Sequence, residues 1–168
     1  MSKILLLDRD GIINIDKGHV YKIEDFEFQE GIFDLCRRFS KAGYLIAVVT
    51  NQAGIAKGLY TLSDLEKLNE FMTKEFEKEG IKISGIYYCP HHPNDNCLCR
   101  KPKPGLILKA LEDLNGNAKE SVLVGDKISD IEAGYNAGID NLYFLKRQYE
   151  EKPVPFSYKR IDSLDEIN

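Results

Sequence analysis

The sequence predicts an α/β protein with a doubly wound, mostly parallel sheet. Five short apolar runs, of which Ile4–Leu7 and Leu45–Val49 are the clearest, predict buried strands. Segments with apolar residues at helical spacing alternate with these runs. Buried strands that alternate with amphipathic helices are typical of a parallel sheet covered on both faces. The chain has 168 residues, 43% of them hydrophobic, so we expect a single domain over residues 1–168 with a substantial core.

The composition excludes several kinds of partner. The chain carries 23 basic and 27 acidic residues and a net charge of −4, so no broad basic surface for nucleic acid is expected. No apolar run approaches the roughly 20 residues that span a bilayer. The N-terminus enters the first strand without a signal-peptide pattern, so we expect a cytoplasmic location. Nothing in the sequence indicates an obligate interface, and we expect a monomer.

The first half of the chain is predicted to hold two strands and two helices. Apolar residues at helical spacing predict helices over residues 31–42 and 61–79, and a glycine follows each. Thr61 and Asp64 have the spacing of a capping box, which indicates where the second helix begins.

The second half continues the alternation. Ser129 is a candidate N-cap for the last long helix, because a serine hydroxyl can accept a bond from a free backbone N–H. The expected elements are a strand at 85–88, a helix at 106–114, a strand at 121–124, a helix at 129–137, a strand at 141–145, a surface loop at 148–155, a short strand at 158–161 and a final helical turn.

Two aspartates follow the first strand, one residue apart. In an extended backbone Asp8 and Asp10 lie on the same side, and Gly11 then lets the chain turn away. Two carboxylates in one site can hold Mg²⁺, or they can divide the roles of nucleophile and general acid. Taken alone, the pair fits a solvated acidic turn equally well.

Polar side chains also follow the other strands, and ligands bind at the carboxyl ends of such sheets. Asp126 with Asp8 would suit Mg²⁺, and Thr50 with Lys101 would suit the charge of a transferring phosphoryl group. We expect Asp130 to support Asp126 rather than to bind metal. Each residue alone could simply end a strand or cap a helix, but their coincidence at one edge favours a site.

A second cluster consists of Cys89, His91, Cys97 and Cys99, in two pairs with one residue between partners. Three thiolates and one imidazole form a full tetrahedral zinc set with no open position, so the predicted zinc is structural. The alternatives are a group of free thiols, or a non-catalytic adaptor for protein or nucleic acid built on this loop. The acid pairs argue against an adaptor for nucleic acid, because they repel phosphate.

With these residues in view, the chain resembles haloacid-dehalogenase (HAD) phosphatases. The resemblance runs from about residue 3 to 144. It rests on four motifs: Asp8-Arg9-Asp10-Gly11, Thr50-Asn51, the loop lysine Lys101, and Gly125-Asp126 with Asp130. It implies a Rossmann-like HAD fold with a zinc loop at 89–99 and no large cap domain.

The zinc-loop subgroup contains phosphatases of heptose bisphosphate and of histidinol phosphate. The segments 50–58, 87–93 and 100–105 resemble the heptose enzymes. This implies removal of the C7 phosphate of D-glycero-D-manno-heptose 1,7-bisphosphate, in heptose synthesis for surface polysaccharide. Only five residues separate His91 from Cys97, a spacing that resembles histidinol-phosphate enzymes and keeps that alternative open. Position 19 is histidine where the heptose pattern has tyrosine.

The resemblance also assigns roles. It makes Asp8 the nucleophile and Asp10 the general acid and base, with Thr50 and Lys101 on the transferring phosphoryl group. Mg²⁺ would bind Asp8, the Asp10 carbonyl and Asp126. Contacts with the sugar phosphate would come from Arg9, Asp16, Lys17, Gly18, His19, Asn51, Gln52, Arg100 and Lys127.

Overall fold

The computed structural model describes residues 1–168 as one six-stranded sheet with helices on both faces. Every strand pairs in parallel with its neighbour. The predicted fold class is confirmed. The elements are β1 (Ile4–Leu7), α1 (Ile32–Lys41), β2 (Leu45–Asn51), α2 (Leu62–Lys78), β3 (Gly85–Cys89), α3 (Gly105–Asp113), β4 (Val122–Gly125), α4 (Ile128–Asn136), β5 (Asn141–Leu145) and β6 (Lys159–Ile161), with 3-10 turns at Ile23–Asp25, Pro93–Asp95, Ala118–Glu120 and Leu164–Glu166.

The strand order β3-β2-β1-β4-β5-β6 creates a switch point in the middle of the sheet. The chain winds outward from β1 to β3 and then returns to place β4 on the other side of β1. Leu7 pairs with Val48 on one side and with Val124 on the other, so three strands end side by side. Ligands bind in the crevice that opens at such a point.

The core has two layers, one on each face of the sheet. Successive strand residues point to opposite faces, so Leu5 and Leu7 join the layer beneath α1 and α2, and Ile4 and Leu6 join the other. All four side chains are fully buried. This burial on both faces explains why the strands are continuous apolar runs without alternation.

The structure confirms the predicted N-cap of α2 and contradicts the predicted N-cap of α4. The Thr61 capping box is confirmed: Thr61 Oγ1 accepts from the Asp64 N–H at 3.1 Å, and Asp64 accepts from the Thr61 N–H at 2.9 Å. The prediction that Ser129 caps α4 was wrong. The helix begins at Ile128, and Asp130 accepts from the N–H of Lys127 at 3.1 Å instead.

No helix combines the length and the apolar character needed to cross a membrane.

Candidate active site

A cavity of about 500 Å³ opens at the carboxyl edge of β1, β2 and β4. All of the predicted catalytic and substrate-binding residues except Arg9 and Lys17 line it. Those that line it are Asp8, Asp10, Asp16, Gly18, His19, Thr50, Asn51, Gln52, Arg100, Lys101 and Lys127.

Three buried carboxylates and one buried ammonium lie together at this edge. Asp8, Asp130 and Lys101 line the cavity, whereas Asp126 lines a second cavity with Gly11. Asp8, Asp126 and Asp130 bring carboxylate oxygens within 4.8 Å of one another. Lys101 Nζ lies 2.9 Å from Asp8 Oδ1 and 2.5 Å from Asp130 Oδ1, and it donates to the Val49 carbonyl at 3.1 Å. Burial opposes the charge of Lys101, but the two carboxylates outweigh it and raise its pKa.

Asp126 has no partner for its charge in this cluster. The residue is fully buried, and neither of its carboxylate oxygens accepts a hydrogen bond. Burial, and then the charges of Asp8 and Asp130, raise the pKa of Asp126 to about 10. Burial and then Asp130 raise the pKa of Asp8 to about 7. Unpaired buried carboxylate oxygens are the ligands that Mg²⁺ prefers, so the cluster fits a divalent cation.

Gly11 is what allows Asp126 to approach β1. The glycine has φ +96°, and a Cβ built on it would lie 1.9 Å from Asp126 Oδ2. Any side chain here would therefore be strained in its backbone and would displace the carboxylate.

Asp10 is held on both of its oxygens. Oδ1 accepts from Arg9 Nε at 3.2 Å, Arg9 Nη2 at 2.9 Å and Asn14 Nδ2 at 3.0 Å, whereas Oδ2 accepts only from Gln52 Nε2 at 3.3 Å. The Asp10 side chain is 21% exposed and faces the cavity.

The structure does not bring Arg9 or Lys17 to the cavity, against the expectation of substrate contacts. Arg9 is buried behind Asp10, and its Nη2 also donates to the Val20 carbonyl at 2.7 Å. Since its neighbour is the Asp10 carboxylate, the guanidinium faces inward rather than toward substrate. The exposed Lys17 pairs with Glu27 at 3.2 Å.

Thr50 and Asn51 are the last residues of β2 rather than part of a following loop. The Thr50 hydroxyl accepts from Gln52 Nε2 at 2.9 Å. Asn51 Oδ1 accepts from the backbone N–H of Lys101 at 3.1 Å, so its amide anchors the segment that carries the lysine.

The Cys/His cluster lies on the loop after β3. Sulfur distances are 3.5 Å for Cys89–Cys97, 3.8 Å for Cys97–Cys99 and 2.7 Å for Cys89–Cys99, and His91 Nδ1 lies 3.4 Å from Cys89 and 3.2 Å from Cys99. Zn–S bonds of about 2.3 Å place two sulfurs of a tetrahedron about 3.8 Å apart. Two of the three sulfur pairs lie near this separation, and Cys89 and Cys99 would have to move apart to bind zinc. The donor types, three thiols and one imidazole, are those of a structural zinc site. The neighbouring His92 turns away and accepts from the Asn94 N–H at 3.1 Å.

Comparison with known proteins agrees with this architecture. The HAD-hydrolase-like family profile matches residues 98–161. The chain is 50% identical to the D-glycero-alpha-D-manno-heptose-1,7-bisphosphate 7-phosphatase of Campylobacter jejuni, over 99% of this chain and 94% of that protein. It is 48% identical to the D-glycero-beta-D-manno-heptose-1,7-bisphosphate 7-phosphatase of Helicobacter pylori strain J99, over 99% of this chain and 95% of that protein. This chain belongs to the heptose-1,7-bisphosphate 7-phosphatase family.

A solved member of this family has the same fold. The D,D-heptose 1,7-bisphosphate phosphatase of B. bronchiseptica, solved with magnesium and phosphate, superposes with a TM-score of 0.86 and 26% identity, over 96% of this chain and 93% of that one. The resemblance to HAD phosphatases stated from the motifs is confirmed.

Lys57, Tyr60 and Tyr149 are among the residues that line the cavity and that were not selected as site residues from the sequence. Lys57 belongs to the glycine-punctuated segment 50–58, so its motif carried a signal. Tyr60 and Tyr149 carried none, because each sits in a segment whose composition indicates only a loop. Tyr149 donates to Asp16 Oδ2 at 2.6 Å, and the Lys127 ammonium lies 4.5 Å from its ring centre.

Proposed function

We propose that this protein hydrolyses the C7 phosphate of D-glycero-D-manno-heptose 1,7-bisphosphate. The observation that carries the proposal is the convergence of Asp8, Asp10, Thr50 and Lys101 on one cavity. A carboxylate nucleophile, a second carboxyl group beside it, and a cation with a hydroxyl for the phosphoryl oxygens are the groups that a phosphoaspartyl mechanism requires. The names of the family members supply the substrate.

In the first step a carboxylate oxygen of Asp8 forms a bond to phosphorus as the bond from phosphorus to the sugar oxygen breaks. The departing oxygen takes the proton of the Asp10 carboxyl group. In the second step water attacks phosphorus, Asp10 takes a proton from that water, and the Asp8 carboxylate is released with inorganic phosphate. Lys101 and Thr50 hold the phosphoryl oxygens throughout.

We further propose that Asp8, Asp126 and the Asp10 carbonyl hold Mg²⁺. The unpaired oxygens of Asp126 support this assignment. When bound, the ion would neutralise charge on the phosphoryl oxygens and allow Asp8 to be ionised.

Zinc in the cluster of Cys89, His91, Cys97 and Cys99 would order residues 89–99. This loop leads directly to Arg100 and Lys101, so a folded loop fixes two of the cations that face the cavity. We propose a structural role for it, with about one zinc per chain.

The substrate carries a second phosphate, and the cavity has cations to receive it. Lys57, Arg100 and Lys127 line the cavity in addition to Lys101, which the proposed mechanism assigns to the transferring phosphoryl group. We propose that these three, with the segment 16–19, bind the sugar and its C1 phosphate.

The protein would act as a single-domain monomer in the cytoplasm. Support for the monomer comes from the covering of both sheet faces by the chain's own helices. Light scattering coupled to gel filtration should give a mass near 19.1 kDa. A larger particle would contradict the monomer.

Phosphate release tests the function. The wild-type protein with Mg²⁺ should hydrolyse heptose 1,7-bisphosphate with a higher kcat/KM than histidinol phosphate. Both anomers should be assayed, because the Campylobacter relative is named for the alpha form and the Helicobacter relative for the beta form. Asp8→Asn should lose nearly all turnover. Substantial turnover in that variant, or a preference for histidinol phosphate, would overturn the proposal.

A further inference from the structure

The carboxyl group of Asp10 has one saturated oxygen and one open oxygen. Three N–H groups of Arg9 and Asn14 point at Oδ1 within 3.2 Å. Oδ2 receives a single, longer bond of 3.3 Å, from Gln52. An oxygen with three donors has no capacity left for a proton, so a proton on this carboxyl group resides on Oδ2.

The position of Oδ2 is set by the Gln52 amide, which is fully engaged. Its Nε2 donates to Asp10 Oδ2 and to Thr50 Oγ1 at 2.9 Å. Its Oε1 accepts from the hydroxyl of Tyr60. With the Tyr60 hydroxyl donating to the amide oxygen, the NH₂ group faces Asp10 and Thr50.

Tyr60 is itself rigidly held. It is only 6% exposed, and its ring stacks on Tyr21 with centres 5.3 Å apart. The backbone of Gly54 presses against the ring, since a Cβ there would lie 2.2 Å from Cε1. Burial raises the pKa of Tyr60 to about 12, so the hydroxyl stays a donor at neutral pH.

We propose that Tyr60 is a positioning residue for the general acid, acting on Asp10 through the amide of Gln52. The inference rests on the proposed function, in which the proton on Asp10 Oδ2 passes to the sugar oxygen as its bond to phosphorus breaks. Tyr60 does not touch the reacting atoms. It fixes the amide that aims Oδ2, so loss of its hydroxyl should slow a step that needs the proton more than a step that does not. The same amide donates to Thr50 Oγ1, so a small loss common to both kinds of step is expected.

The test compares leaving groups. Tyr60→Phe should be assayed on heptose 1,7-bisphosphate, whose alkoxide must be protonated, and on p-nitrophenyl phosphate, whose phenolate leaves without a proton. The ratio kcat/KM covers only the steps up to loss of the leaving group. For the heptose substrate we expect kcat/KM of Tyr60→Phe to fall about 3- to 10-fold, which corresponds to the loss of one neutral hydrogen bond. For p-nitrophenyl phosphate it should change less than about 2-fold.

Tyr21→Phe is the matched control, because Tyr21 stacks on the same ring and its hydroxyl makes no hydrogen bond. Tyr21→Phe should leave kcat/KM unchanged for both heptose 1,7-bisphosphate and p-nitrophenyl phosphate. Gln52→Met removes the amide itself, including its bond to Thr50 Oγ1, so kcat/KM should fall for both substrates, and more for the heptose substrate. Circular dichroism and thermal melts establish that each variant is folded.

Equal losses on both substrates in Tyr60→Phe would assign the tyrosine a purely structural role and overturn the inference, as would no loss on either. These outcomes leave the proposed function intact. Conversely, a wild-type protein that releases no phosphate from the heptose substrate would refute the function itself, before any variant is compared.

Discussion

Replacing Asp126 by asparagine should stabilise the protein in the absence of divalent cations. The residue is fully buried beside two other carboxylates, and its oxygens have no donors. Burying a carboxyl group at this position lowers the stability of the fold, because the group must either be ionised without a partner or keep its proton at neutral pH. Asparagine is nearly identical in shape, is neutral at every pH, and its NH₂ group can donate toward Asp8.

The size of the expected stability gain follows from the raised pKa of Asp126. Folding must keep a proton on a carboxyl group whose ordinary pKa is 3.8 and whose folded pKa is about 10. At pH 7 this costs at most about 4 kcal/mol, since each unit above 3.8 is worth about 1.4 kcal/mol. We expect the variant to gain about 1–3 kcal/mol, or about 3–10 °C in Tm.

The stability difference between the Asp126→Asn variant and the wild type should change with pH in a direction that the raised pKa fixes. A raised folded pKa means that the contribution of Asp126 is fully present below pH 3.8 and is lost as the pH rises toward 10. The difference between variant and wild type should therefore be smaller at pH 5 than at pH 8. Thermal and urea unfolding in EDTA measure it. The exposed Asp140→Asn, which loses only a surface pair with Lys119, is the control and should change Tm by less than about 1 °C.

Added Mg²⁺ should make the wild type more stable than the Asp126→Asn variant. The ion stabilises only a folded protein that binds it, so the wild type should gain Tm with concentration and the variant should not. A variant that is less stable than wild type in EDTA at pH 8, or one that responds to Mg²⁺ as the wild type does, would refute the reasoning.

Four further substitutions have expected outcomes. Gly11→Ala should lower kcat at least about 100-fold and abolish Mg²⁺-induced stabilisation, because its Cβ displaces Asp126. Gly43→Ala, with φ +91° and open space around it, should cost only about 1 kcal/mol in urea unfolding and leave kcat unchanged. Lys101→Met should destabilise the protein by about 3–5 kcal/mol in urea and remove activity, since it leaves buried carboxylates unpaired. Metal analysis should find about one zinc per chain, and Cys97→Ser should lower zinc content and Tm together; unchanged zinc would contradict the four-ligand assignment.

The sequence predicted the sheet well because its strands are buried on both faces. A continuous apolar run such as Ile4–Leu7 in β1 can be recognised without knowing its partner strands. Each of the first four runs ends in polar residues, and the parallel topology gathers those residues at one edge.

What the sequence could not predict is which way individual polar side chains turn. Arg9 lies between Asp8 and Asp10, the two proposed catalytic aspartates, so contact with the substrate was a reasonable expectation, yet its side chain points inward to Val20. Ser129 is a good capping residue by type, yet the carboxylate of Asp130 takes that role. Tyr149 reaches Asp16 across a sequence separation of 133 residues, and no local pattern encodes such a contact.

The proposed zinc loop, residues 89–99, and the buried carboxylates Asp8 and Asp130 are coupled through one short segment. Cys99 belongs to the metal cluster, and two residues later the Lys101 backbone N–H is fixed by Asn51 at the end of β2. The lysine side chain then reaches Asp8 and Asp130. Because the ammonium is anchored at both the backbone and the tip, unfolding of the loop would release the cation that balances two buried carboxylates. If zinc orders this loop as proposed, its loss should lower activity through Lys101, although none of the four proposed zinc ligands lines the cavity.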